Sequence, residues 1–365
     1  MSGLVVLSDV PLGYGSPQIL RLAESLSRLL NEPAMIIAPK GDEAAPKLAA
    51  SAGVSLIELT AMAPFGNVRF DIEFCLQAAR EIDELAPRWL VQAAFLGAPA
   101  LLRLRRRPQR CIYFGYEHTD GSLPWVERAF AGLRGRFDLA IFPEPHRAAL
   151  DSPRLGLDGT PALILYNSVV PLASTTPSEA RSNRFVYGGL IDPQRTYGDA
   201  MLGGPFDRFP IDVFGRLEGF GDPEGMVTAL GTRDTDVRYH GKRPANADFH
   251  REIAAASAAI VAWAPRTEST FFACPNKFFE AIALGVPPVT LPHPQTTMIV
   301  RQFKCGWVAD GFGVDALQKA MLEAQDSFGG PAHQLLVERC LDHAQPHLNW
   351  AVQEKKLERA LSTLG

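Results

Sequence analysis

The sequence has no apolar run approaching the ~18 residues that a membrane-spanning helix requires, so no such span is expected. It has only five cysteines (Cys75, Cys111, Cys274, Cys305 and Cys340), scattered and odd in number. They offer no metal-ligand spacing and no disulfide framework, which fits a reducing, cytoplasmic setting. Charge of one sign is also missing: the net charge is −4, which gives no global argument for binding nucleic acid. The opening Met-Ser-Gly-Leu-Val-Val-Leu-Ser-Asp lacks the basic head, long apolar middle and small-residue cleavage site of a secretory leader, and reads as a first strand. Internal repeats and low-complexity tracts are absent. No strand is followed by Gly-x-Gly-x-x-Gly: Gln18 stands where the third glycine after Gly13 and Gly15 would fall, which argues against a dehydrogenase.

What is present is length and alternation. The 365 residues, 47% of them hydrophobic, suffice for two ordinary cores. Short apolar runs alternate with longer runs at helical spacing, the signature of an α/β chain. Strands are expected at Leu4–Leu7, Met35–Ala38, Leu56–Leu59, Trp89–Val91, Ile112–Phe114, Leu139–Phe142 and Leu163–Tyr166. The stretch Pro171 to Asn183 is rich in Pro, Ser and Thr and reads as a linker. A second series follows at Phe185–Tyr187, Ile211–Phe214, Val237–Tyr239, Ala259–Trp263, Pro288–Leu291 and Gly306–Val308. The spacing therefore predicts two doubly wound, Rossmann-like domains, residues 1–175 and 183–345, and a charged amphipathic C-terminal helix within 346–365 carrying Trp350, Val352, Leu357 and Leu361. Two such sheets can hold one ligand each at their carboxyl edges, an arrangement suited to group transfer.

The most informative stretch runs from Cys274 through Pro-Asn-Lys-Phe-Phe-Glu-Ala-Ile-Ala-Leu to Gly285. Pro275 suits a first helical position and Gly285 a left-handed cap, with two to three turns between them. Phe278, Phe279, Ile282 and Ala283 share an apolar side, while Asn276, Lys277 and Glu280 cluster on the other. A helix start offers amide N–H groups and the positive end of its dipole to a diphosphate. Lys277 adds a full charge there, and Glu280, one turn on, is in reach of a ribose. A bare Lys-x-x-Glu pair would be an ordinary solvated crossover helix; the whole string, between two expected strands, is more specific.

Residues 275–287 resemble the donor-site motif of GT-B glycosyltransferases, in particular the large retaining family 4. The resemblance implies a GT-B fold and transfer of a sugar from a UDP- or GDP-type donor, with retention and without cofactor or bound metal. By that resemblance Pro275, Asn276 and Lys277 meet the diphosphate and Glu280 the ribose. Gly188 and Gly189 resemble the family's glycine loop near the phosphates, followed by a second loop at Gly215. His240-Gly241-Lys242 resembles the strand end beside the base, and Tyr166-Asn-Ser-Val169 the segment closing the first domain. The Trp350 helix resembles the one that returns to that domain. A basic residue near Arg195 neutralises the leaving diphosphate in the family, with Arg216 and Arg266 as alternatives; any of the three can equally be a surface charge. The family's first Glu, eight residues before Glu280, is Phe272 here, with Glu268 further upstream.

On the acceptor side, Gly13-Tyr14-Gly15 is either a close-approach loop or a plain turn. His118 resembles the family histidine that contacts the transferred sugar, and it is a candidate general base; a surface-loop role is the alternative. Glu117 or Asp120 could supply an acid. Arg103, Arg105, Arg106, Arg107 and Arg110 form a basic run that either touches anionic lipid at the inner membrane face or solvates a helix end. The acceptor is left open among glycan, lipid-linked and small-molecule classes. Two other readings stand beside transfer: a catalytically silent partner that binds nucleotide-sugar, and a nucleotide-sugar epimerase of the same fold.

Overall fold

The computed structural model describes residues 3–13, 17–41, 45–61, 68–119, 123–170, 180–242 and 246–364. Thirteen strands are present among them. The first seven are β1 (Leu4–Ser8), β2 (Ala34–Pro39), β3 (Ser55–Leu59), β4 (Trp89–Ala93), β5 (Arg110–Phe114), β6 (Leu139–Phe142) and β7 (Ala162–Ile164). They form one all-parallel sheet in the order β3-β2-β1-β4-β5-β6-β7. The other six are β8 (Ser182–Gly188), β9 (Ile211–Phe214), β10 (Val237–Tyr239), β11 (Ala256–Val261), β12 (Pro288–Thr290) and β13 (Trp307–Val308), in the parallel order β10-β9-β8-β11-β12-β13. Strand order reverses between β1 and β4 and again between β8 and β11, so each sheet has a switch point at its carboxyl edge.

Burial explains why continuous apolar runs became central strands. Every residue of β1 and β4 is buried, as expected when helices cover both faces. Alternate residues feed opposite faces: Leu4, Val6, Ile36 and Ile112 pack with Ile19, Leu22 and Leu26 of the helix Pro17–Leu30. Val5, Leu7, Ile37 and Tyr113 pack instead with Phe74, Ile82 and Phe130. In the second sheet Phe185, Tyr187, Val213 and Ile260 meet Met201, Phe206, Leu317 and Met321.

The chain divides into two compact units, Met1–Tyr166 with Glu354–Gly365, and Asn167–Gln353. Leu357 and Leu361 of the last helix, Trp350–Ser362, belong to the core of the first unit. Among the described residues no helix is long and apolar enough to cross a membrane.

Three expectations need correction. β11 is Ala256–Val261, not Ala259–Trp263, because the β12 ladder ends at the Val261–Thr290 pair and leaves Trp263 without a strand partner. β7 ends at Ile164 because its neighbour β6 stops at Phe142. Ser182 and Asn183, expected as linker, open β8, where Ser182 pairs with Ala256 and its hydroxyl donates to the Ala255 carbonyl. The rest of the expected linker, 171–179, lies outside the described residues.

Candidate functional site

The carboxyl edge of the second sheet gathers the loops that follow β8, β9 and β10. Gly189 N–H donates to the Phe214 carbonyl at 3.0 Å, and Gly215 N–H donates to the Gly241 carbonyl at 2.7 Å. Tyr187 and Tyr239 brace the same loops by donating to the carbonyls of Leu190 at 2.6 Å and Gly215 at 2.9 Å. Only glycine fits at two of these turns. A Cβ on Gly215 would fall 1.7 Å from the Gly189 oxygen, and one on Gly188 would fall 2.0 Å from the Phe249 ring. At Gly189 (φ +139°) a Cβ would instead lie 3.6 Å from Lys277 Nζ, so the ammonium sits directly against this turn.

Lys277 comes from the helix Asn276–Ala283. Pro275 is the cap residue, with extended backbone, rather than the first helical residue as expected; Asn276 takes that place. The difference has a chemical consequence. Proline brings no side chain that can accept from the first-turn amides, and no side chain caps this start. By contrast Thr267 caps the short helix Glu268–Phe272, and Asp222 caps Pro223–Thr232. At the other end Gly285 (φ +69°) donates to the Ile282 carbonyl and Val286 to that of Ala281, the paired bonds of a left-handed helix stop. Phe278, Phe279, Ile282 and Ala283 are buried as expected. So is Glu280, at 5% exposure, although the spacing put it on the polar side. The Lys277 ammonium lies 4.0 Å from the centre of the Tyr187 ring, a cation–π contact that aims it along the β8 edge.

His240 at the end of β10 stacks on Phe214 at 4.4 Å and places Nε2 2.8 Å from Asp212 Oδ1. Burial pushes the Asp212 carboxyl up, but Arg184 and His240 outweigh it and hold it below its ordinary value. Among the three candidate arginines, Arg216 pairs with Glu218 and Arg266 donates to Gln194. Arg195 is exposed, and its loop is fixed by its own amide donating to Asp192 at 2.6 Å and its carbonyl accepting from Ala264 at 2.7 Å. Lys242 is exposed beside Gly241. Phe272 packs edge-on against Phe271, with ring centres 4.9 Å apart, and Glu268 begins the helix that carries both.

The first unit holds a buried polar cluster that sequence reasoning only touched. Tyr14, Gly15 and Asp120 lie outside the described residues; Gly13 is described, and a Cβ there would meet nothing. Glu117 is exposed, whereas the His118 side chain is only 1% exposed, with Nδ1 2.7 Å from Asp151 Oδ1. Nδ1 thus faces a carboxylate, and Nε2 lies 3.5 Å from the Arg154 guanidinium. Asp9, directly after β1, accepts from Leu96 N–H at 2.8 Å and from the Tyr116 hydroxyl at 3.3 Å. Burial pushes the Asp9 carboxyl up to about 7, with the Glu117 charge adding to it and the Leu96 amide opposing it. Glu144 is likewise pushed up to about 7 by burial, against the pull of Arg147 and His118.

A carboxyl whose folded-state pKa is raised binds its proton more tightly in the native state. Its stabilising contribution is therefore complete below the ordinary value and is lost as pH rises towards 7. Melting wild type beside Asp9→Asn tests this. The wild-type advantage should shrink by up to roughly 4 kcal/mol between about pH 4 and pH 7. A difference that stays constant with pH contradicts it.

Among the described residues no cluster of His, Cys, Asp or Glu could hold a metal ion. No family model and no curated protein matches the chain. Solved structures do. Sucrose-phosphate synthase from Thermosynechococcus elongatus is similar with a TM-score of 0.72 and 16% identity, over 100% of this chain and 99% of that one. HepE of Anabaena, in complex with UDP-glucose, has a TM-score of 0.71 and 16% identity over 100% of both chains. The apo form of the lipopolysaccharide outer core galactosyltransferase WaaB has a TM-score of 0.68 and 11% identity over 99% of both. At these identities the likeness shows the fold: two α/β units, each built on a parallel sheet, matching GT-B glycosyltransferase structures.

Proposed function

We propose that this chain is a glycosyltransferase that takes a sugar from a nucleoside-diphosphate donor held on its second unit. One observation carries the reading: a helix start without a side-chain cap, with Lys277 poised over Tyr187 and against Gly189. The diphosphate would accept from the first-turn amides at Asn276 and Lys277, and Glu280 would receive the ribose hydroxyls. Gly188, Gly189 and Gly215 let the phosphates approach backbone, and His240, Gly241 and Lys242 flank the base. Positive charge from Lys277 and Arg195 stabilises the departing diphosphate without need of a metal. The motif's resemblance supports retention at the anomeric carbon, and the scattered, unpaired cysteines support a cytoplasmic setting. His118 and Glu117 would serve the acceptor on the first unit, with Gly13 to Gly15 beside them. HepE, a neighbour of the same fold, binds UDP-glucose, which supports a nucleotide-sugar as the donor class.

The test is thermal stabilisation by a panel of uridine, guanosine and thymidine diphosphates. A ligand at a hundred times its dissociation constant adds about 2.7 kcal/mol, so one base should raise the melting temperature by several degrees. No response to any of them contradicts the reading. A second reading, donor binding without transfer, is favoured by Phe272, an apolar side chain where the motif's relatives place an acid. Stabilisation by the donor with neither donor hydrolysis nor transfer would select it.

A further inference from the structure

Six large apolar side chains are conspicuously exposed among the described residues: Ile72, Leu76, Leu102, Val170, Met298 and Leu335. Three of them, Ile72, Leu76 and Leu102, line one groove in the first unit, with a cavity of about 230 Å³. The groove lies between the helices Val68–Leu85, Ala98–Leu102 and Pro124–Gly132. Cys75, Pro99 and Trp125 complete its apolar wall, and buried Asp71 and exposed Arg103 are its charged lining. An apolar surface of this kind, gathered in one place and left open, marks an interaction site.

The groove's border is basic. Leu76 and Arg103 are shared with an adjoining concavity lined by Arg80, Arg105 and Arg106, with Asp83 and Glu84 as its acids. Asp83 is engaged by Arg105, both at its backbone N–H (2.9 Å) and at its side chain (3.9 Å). Arg110 pairs with Asp138, and Arg107 donates to the carbonyls of Gly135 and Arg136. Arg80, Arg103 and Arg106 have no ion pair among the described residues. The basic run thus splits: its far end holds the fold together, and its near end, with Arg80, borders the groove.

We propose that this groove seats the first unit on the headgroup–acyl boundary of an anionic lipid leaflet. Ile72, Leu76 and Leu102 would enter the acyl region, and Arg80, Arg103 and Arg106 would meet lipid phosphates. Two of the bordering helices begin at the carboxyl ends of β4 and β5, the edge assigned above to the acceptor. The inference rests on that reading only for its meaning: it makes a lipid-linked acceptor the favoured class. Its physical content stands without any transfer.

The experiment is flotation of the whole chain with vesicles of phosphatidylcholine alone and of phosphatidylcholine mixed with phosphatidylglycerol. Binding is expected to the mixed vesicles only, and to weaken as salt is raised. Arg103→Ala with Arg106→Ala should weaken partition roughly twenty-five-fold, at about fivefold per arginine near an anionic surface. Ile72→Ser, Leu76→Ser and Leu102→Ser together should weaken it about tenfold or more. Brominated lipid should quench fluorescence in wild type and lose most of that quenching in Trp125→Phe. Both multiple variants should keep the melting response to nucleoside diphosphate, which shows that they are folded. The exposed arginine pair carries the test if the serine variant does not fold.

Equal binding to neutral vesicles, no binding to either kind, or binding that both variants leave intact would each overturn the proposal. So would a wild-type dimer that the serine variant splits while vesicles go unbound, which would make the groove a contact between copies of this chain. A wild type that binds vesicles but ignores every nucleoside diphosphate would refute the donor reading and leave this one standing.

Discussion

Replacing Lys277 with alanine should lower kcat by about two to three orders of magnitude while leaving the unliganded melting temperature within a degree or two of wild type. The size follows from what the ammonium meets. In the donor ground state the diphosphate charge is partly shared with the sugar, and in the transition state the leaving group takes it up. A cation fixed at that point stabilises the transition state more than the ground state, so the loss should fall mainly on kcat rather than on KM. The small effect on stability follows from the side chain's own contacts. Lys277 is half-buried, and its cation–π contact with Tyr187 is worth about 0.5–1 kcal/mol. Steady-state kinetics with the sugar of the best-stabilising diphosphate, run beside a thermal melt, separates the two effects. Near-normal turnover would remove Lys277 from the reaction.

Gly215→Ala should be the most damaging single-methyl change in the second unit. The new Cβ would sit 1.7 Å from the Gly189 carbonyl oxygen, a backbone atom that no rotamer change can move aside. Relief requires the loops after β8 and β9 to separate. That sacrifices the Gly215–Gly241 and Gly189–Phe214 hydrogen bonds and carries Gly189 away from Lys277. A cost of about 3 kcal/mol, or roughly 6–12 °C in melting temperature, is expected, together with loss of nucleotide stabilisation. Gly241→Ala is the control. Its φ of +75° strains an alanine, but no atom lies within 4 Å of the added Cβ. It should cost about 1 kcal/mol, well short of the Gly215 variant. Equal effects of the two substitutions would contradict the steric account.

The strands and the helix at Asn276–Ala283 were legible because their signals are local. Apolar runs such as Leu4–Ser8 need no partner to declare themselves, and the helix shows its stop at Gly285 within ten residues of its start. The errors fell at ends, where a neighbour decides. Trp263 leaves the sheet because β12 has run out, and its indole donates instead to the Thr270 carbonyl at 2.5 Å. The first unit's polar cluster was mostly hidden for the same reason on a larger scale. His118 could be named from its place after a strand. Asp151, the carboxylate beside it, lies on the helix Pro145–Arg154 and reads as an ordinary acid. Asp9 had a weak signal, an acid directly after the first strand, but its raised pKa depends on burial that no local pattern reveals. The fates of Arg103 to Arg110 likewise depended on tertiary neighbours, since Asp83 and Asp138 lie on other segments.

The central claim is that the start of the helix at Asn276 receives a diphosphate. A crystal structure with the most stabilising nucleoside diphosphate bound tests it most directly. The account predicts phosphate oxygens within hydrogen-bonding distance of the Asn276 and Lys277 amides and of Lys277 Nζ, with ribose hydroxyls on Glu280. A diphosphate bound elsewhere on the second unit, with that helix start still facing water, would contradict it.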